Sequence, residues 1–98
     1  MNTNYCYILF SESLNRFYIG STMLTVNERL ERHLSKHYGD NKFTAKAEDW
    51  VIFMEIGCDT FEQAQKIERH IKKMKSKKYI NNLKSYPEIK DRLLDKYK

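Results

Sequence analysis

A chain of 98 residues has room for one domain and one modest core, and 41% hydrophobic with 13% aromatic content is a folding composition that excludes a disordered chain. Two widely separated cysteines, Cys6 and Cys58, exclude a disulfide framework or cysteine zinc site, and no apolar run approaches membrane-spanning length, so the expectation is a soluble, cytoplasmic protein with no membrane partner. The net charge of +5 is unevenly placed: residues 66–98 hold ten Lys and two Arg against four acids, a balance of +8, while residues 1–65 stand at −3. A basic C-terminal third suits a polyanion such as nucleic acid, although a solvated face on lysine-rich helices has the same composition.

Tyr5-Cys6-Tyr7-Ile8-Leu9-Phe10 is aromatic and branched without polar alternation, which predicts a strand covered on both faces and therefore central in a sheet. Turn-forming Ser11–Asn15 and then Arg16-Phe17-Tyr18-Ile19-Gly20 predict a hairpin. If Leu9 pairs with Arg16, Tyr7 lies opposite Tyr18. Thr25-Val26-Asn27-Glu28 is a capping box that opens a helix to about Lys36. Val26, Leu30 and Leu34 form its buried stripe, with Arg29, His33 and His37 on the stripe beside it.

Residues 38–49 are polar and aperiodic, a long loop. Trp50–Ile56 predicts the third strand, ended by Gly57, with Trp50 anchoring the core. Thr60-Phe61-Glu62-Gln63 is a second capping box, and Phe61, Ala64, Ile67, Ile71 and Met74 mark the inward face of a second long helix. Glu68 follows Ile67 by about 100° of rotation, on the flank of that stripe, where a carboxylate needs a partner. A helix through Tyr79–Leu83 follows, and Ser85, Pro87 and Glu88 open a last amphipathic helix carrying Ile89, Leu93 and Tyr97. The expected fold is α+β: a small three-stranded antiparallel sheet flanked by helices, with residues 1–84 as the domain and 85–98 as a C-terminal helical tail.

Tyr5-Cys6-Tyr7, followed eleven residues later by Tyr18-Ile19-Gly20, resembles the paired motif that names the GIY-YIG nuclease family. Arg29 and His33, in Glu28-Arg29-Leu30-Glu31-Arg32-His33, resemble the family's helix motif, and Glu68, in Ile67-Glu68-Arg69, resembles its metal-ligand position. The resemblance covers roughly residues 4–83 and is closest to the short single-domain bacterial members. Tyr5 departs from the usual Gly, and Asn81 and Asn82 are two candidates for a further Asn that many members carry. The resemblance implies a metal-dependent endonuclease that hydrolyses phosphodiester bonds in DNA, RNA not being excluded, with one Mg2+ or Mn2+ ion held by Glu68 and no organic cofactor.

Elementary chemistry stands beside that resemblance. Phosphodiester hydrolysis needs a base for water, positive charge on the phosphoryl oxygens and support for the leaving oxygen. Arg29 offers a planar, permanently charged fork to the phosphate. A phenol titrates near 10 and serves as base only beside positive charge; by similarity to the family Tyr7 is the base and Tyr18 positions it, with the roles exchangeable and His33 the rival base. Arg32, Lys72, Lys73, Lys75, Lys77 and Lys78 are the candidate nucleic-acid contacts. Recognition by backbone and shape, rather than by base sequence, is expected of so small a surface.

Against each residue stands a plainer reading. Tyr7 and Tyr18 could be packed aromatics, Arg29 could pair with Glu28 or Glu31, and Glu68 could pair with Lys72 four residues on. Two other functions compete: a nucleic-acid-binding module on the same fold without turnover, and an interaction module whose C-terminal helix docks on a protein partner. The nuclease reading requires two phenols, a guanidinium and an acid to converge on one cation-holding pocket. An acid whose oxygens lie on the far side of the sheet from the phenols sinks the hydrolase reading and leaves a basic α+β domain of unknown purpose.

Overall fold

The computed structural model describes residues 4–23 and 47–98. Strands β1 (Asn4–Ser11), β2 (Arg16–Thr22) and β3 (Trp50–Cys58) are followed by helices α1 (Phe61–Met74), α2 (Lys77–Ser85) and α3 (Pro87–Lys96). The fold is α+β. The predicted helix from Thr25, with Arg29, Arg32 and His33, and most of the predicted loop lie outside the described residues.

The sheet is antiparallel in the order β2-β1-β3. The strand without polar alternation is thus the central one, because both of its faces meet apolar layers. Cys6 and Ile8 join Ile56, Cys58, Ala64, Ile67, Ile71, Ile80, Leu83 and Leu93 in the main core under the helices. Tyr7 and Leu9 pack with Ala47 and Trp50 on the opposite face. Glu12–Asn15 turn the hairpin: Asn15 N–H donates to Glu12 O at 3.1 Å, and Asn15 takes a left-handed φ of 51° that Asn tolerates through its short polar side chain. This turn pairs Ser11 with Arg16 and Leu9 with Tyr18, so Tyr7 faces Gly20. The pairing of Leu9 with Arg16 is corrected by two residues; Tyr7 and Tyr18 remain on one face as diagonal neighbours, since a shift of two preserves facing.

A bulge in β3 does what a two-residue shift does not. Ile8 pairs with Met54 but Leu9 with Ile52, which leaves Phe53 as the extra residue. Trp50 and Ile52 consequently face the Tyr7 side, while Met54, Ile56 and Cys58 face the helices. Phe53 also turns toward the helices and meets Phe17 edge-on, with ring centroids 5.0 Å apart. Gly57 does not end β3, which continues to Cys58.

Thr60 caps α1, its side chain accepting from Gln63 N at 3.0 Å, and Gln63 Oε1 accepts from Asp59 N at 2.7 Å. Ala64, Ile67 and Ile71 are buried as their spacing requires, but Met74 is 45% exposed because the helix ends there, with Lys75 in a left-handed cap at φ 48°. Ser76 caps α2, accepting from Tyr79 N at 3.1 Å, and Pro87 opens α3. Tyr97 is the C-cap of α3 and not within it. Leu93 is 5% exposed in the main core, and Gln63 Nε2 donates to Leu94 O at 2.9 Å, so α3 packs on α1.

Candidate active site

The two phenols come from the hairpin. Tyr7 is fully buried and Tyr18 partly exposed, their ring centroids 6.3 Å apart and tilted by 39°, and Tyr18 also meets Trp50 edge-on at 6.5 Å. Gly20 makes room for Tyr7. A Cβ built at Gly20 would stand 2.6 Å from Tyr7 Cζ and nearer still to its hydroxyl, closer than non-bonded atoms approach. The glycine is therefore the floor on which the phenol lies, and the Tyr7 hydroxyl is fixed over the Gly20 end of β2.

Glu68 arrives from the other side. It stands on α1, which covers the opposite face of the sheet, and its side chain is 19% exposed. Ser21 Oγ donates to Glu68 Oε1 at 2.6 Å, and Lys72 Nζ donates to Oε2 at 2.7 Å. The negative charge reaches the sheet: Cys6, paired with Ser21, has its thiol pushed up by burial first, then by Cys58 and by Glu68.

The phenols and the carboxylate thus do not share a face, the outcome named above as the one that tells against a hydrolase, and the described residues form no single pocket that holds both. They approach consecutive residues of one strand, Tyr7 over Gly20 and Glu68 on Ser21, and among the described residues no strand lies beyond β2. What joins them, among the described residues, is the β2 edge of the sheet.

The remaining candidates are dispersed. Asn81 Nδ2 donates to Lys77 O at 2.9 Å, and Asn81 lines a small hollow with Phe10, Asn15 and Phe17 at the hairpin-turn end, away from Gly20 and Ser21. Asn82 is partly buried, its backbone carbonyl accepting from Tyr86 N at 2.8 Å. Lys77 Nζ donates to Asn15 O at 2.8 Å, which ties α2 to the turn. Lys75 and Lys77 share a groove with Arg16 and Lys72, while Lys72 and Lys73 line a second cleft; Lys78 is exposed.

One acid escaped the sequence reading. Glu55 pairs directly with Tyr7 across β1 and β3, so both side chains leave the sheet on the same face. The bulge at Phe53 reverses facing within β3, and simple alternation from Trp50 would have turned Glu55 the other way. Asp49 serves the fold. It accepts from Ser11 Oγ at 2.6 Å and Ser13 N at 2.8 Å, bonds that hold its carboxyl below the usual range and pin the turn to the start of β3.

The GIY-YIG catalytic-domain model matches residues 3–82, nearly the whole chain. The chain belongs to the GIY-YIG family. Its Tyr7, Tyr18 and Gly20 lie within that match, as does Glu68, while α3 lies beyond it. A GIY-YIG domain is a nuclease-type fold, and its substrate class is nucleic acid. No curated protein and no solved structure matches the chain significantly. No described helix is long and apolar enough to cross a membrane.

Proposed function

We propose that this GIY-YIG domain is a divalent-metal-dependent endonuclease acting on DNA, selecting its substrate by backbone shape. What supports the reading is the GIY-YIG match over residues 3–82, which contains Tyr7, Tyr18 and Glu68; against it stands their placement on opposite faces of the sheet, the phenol over Gly20 and the acid on Ser21.

Glu68 suits a hard cation. Magnesium is commonly held by one or two carboxylates, completing its shell with water and substrate oxygens, and among the described residues no group of three or more His, Cys, Asp or Glu side chains gathers into a dedicated cage. Lys72 Nζ already stands 2.7 Å from Oε2, the ion pair that is the plainer reading of this acid, so a cation at Glu68 requires Lys72 to give up that oxygen. When bound, the ion supplies Lewis-acid polarisation of the phosphodiester and charge for the leaving oxygen. Ser21 orients the carboxylate through Oε1. Arg29 carries the phosphate's charge, and Tyr7 takes the proton of the attacking water while Tyr18 positions it.

The exposure of the two phenols favours an exchange of those roles as the second reading. Tyr7 is wholly shielded and Tyr18 reaches solvent, so Tyr18 would meet the water and Tyr7 would hold it in place. His33 is the other candidate base.

A cleavage assay on plasmid and flapped or branched DNA tests the proposal. Wild type should cut with magnesium or manganese and stop with EDTA, and Glu68→Ala should lose activity by at least about a hundredfold, the scale of losing a charge-stabilising group. Cutting by Glu68→Ala at the wild-type rate overturns the metal-ligand role; salt-dependent DNA binding with no cutting under any metal leaves a binding module instead. Tyr7→Phe and Tyr18→Phe separate the phenols, because loss of the base removes the alkaline rise of the rate and loss of the positioning group lowers the rate at every pH.

A further inference from the structure

Cations cluster along α1, at Lys66, Arg69, Lys72 and Lys73, and the end of α3 folds back beside them. Lys66, Arg69, His70, Lys72 and Lys73 of α1, with Lys96 and Tyr97 at the end of α3, line a cleft of about 860 Å³. Among the described residues no carboxylate lines it. Lys66 is paired with Glu62 and Lys72 with Glu68, but Arg69, Lys73 and Lys96 have no ion pair among the described residues. Two of the three acids of α3 are turned elsewhere: Asp91 and Asp95 line a separate hollow with Asp59, Gln63 and Leu94.

The cleft is also braced. His70 Nδ1 and Tyr97 Oη are hydrogen-bonded at 2.8 Å, joining α1 to the end of α3, and Lys96 Nζ stands 5.4 Å over the Tyr97 ring. Cations held beside one another in a concave wall repel unless an anion lies between them, and their field is focused into the opening.

We infer that the α1–α3 cleft is a second nucleic-acid contact, a seat for backbone phosphates of the strand that leads to the β2 edge. Lys72 supplies the continuity, because it lines the cleft and also touches Glu68. Lys96 and Tyr97 lie beyond the family match and the five α1 residues within it, so the C-terminal helix completes a contact that α1 begins. The inference deepens the nuclease reading and rests on it for the identity of the polyanion. Binding through the cleft is electrostatic and blind to base sequence.

The test is titration of a fluorescein-labelled flapped DNA duplex in EDTA, at several salt concentrations, followed by anisotropy. Arg69→Gln, Lys73→Gln and Lys96→Gln are combined in one variant, all three residues being exposed. The control removes equal charge elsewhere, through Lys84→Gln, Arg92→Gln and Lys98→Gln. Thermal melting verifies that both variants fold.

The cleft variant should bind at least tenfold more weakly, and its slope of log affinity on log salt should fall by about two to three, near 0.9 for each phosphate left without its cation. The control should lose less than half of that slope change. Equal losses in the two variants, or no loss in the cleft variant, overturn the inference. Tighter binding of a polyglutamate peptide of matched charge than of the DNA overturns it too, and makes an acidic protein the occupant. Failure of the two readings is distinguishable: a wild type that binds through the cleft but never cuts keeps this contact and loses the nuclease, while cutting with unchanged KM in the cleft variant does the reverse.

Discussion

Gly20 shows how a single missing methyl group organises the site. Its space is filled by the ring of Tyr7, and nothing in the hairpin could give way cheaply, because Tyr7 is buried and lies in the central strand. Gly20→Ala should therefore cost about 1–3 kcal/mol by overpacking. Truncating the ring with Tyr7→Leu should relieve that clash, so the double variant should be destabilised by less than the sum of the single changes, a coupling that urea unfolding midpoints will measure. Additive losses would mean that the ring does not lie on Gly20. At this scale the sequence was legible in part. The phenols, the glycine and the acid could be picked out by motif, but the consequence of Gly20 for Tyr7 depends on a register two residues from the one assumed. Glu55 went unnoticed because a bulge reversed its facing.

At the scale of elements, α3 illustrates why an amphipathic tail need not be an appendage. Its apolar residues include Leu93, buried beside Ile67 and Ile71, and its backbone accepts from Gln63 of α1. Leu93→Ala should cost about 2–5 kcal/mol, the range for emptying a buried leucine site, read as a lower midpoint of a single cooperative transition. A chain truncated after Lys84 should melt at a lower temperature for the same reason, and an unchanged melt would show that α3 adds nothing to the core. Helix spacing made Leu93, Ile67 and Ile71 predictable, since period 3.6 places apolar residues of one helix on one stripe. Met74 continued that stripe on paper, yet the left-handed cap at Lys75 ends α1 and leaves its side chain in solvent.

The whole molecule separates its charge, and that separation should appear in its pH dependence. His70 faces Lys73 and Lys96 and is hydrogen-bonded to Tyr97, with the Tyr79 ring 6.1 Å away. Burial first, then Lys96 and Lys73, holds its titration below the ordinary 6.5. The unfolded chain therefore takes up this proton before the folded one, so stability falls as pH drops from 7 through the region just below 6.5 and levels off below the folded value. His70→Gln should flatten that part of the stability curve, measured by urea unfolding between about pH 5 and 7.5. The Asp49 contribution runs in a different window, fully present above the ordinary carboxylate value of 3.8 and lost as pH falls through its lowered one.

Local pattern sufficed for much of this protein: a central first strand, a hairpin, a helix capped by Thr60, another opened by Pro87 and a basic C-terminal third all follow from spacing, helix-start chemistry and composition, which are properties of near neighbours in the chain. Facing and approach were decided elsewhere. Whether Glu68 stands on the phenols' side of the sheet, which acid lies across from Tyr7, and whether Lys73 and Lys96 share a cleft depend on register, on one extra residue in β3 and on how α3 folds back onto α1. Each of these is a long-range arrangement, and within the sheet a shift of a single residue reverses a side chain's face, which no local periodicity records.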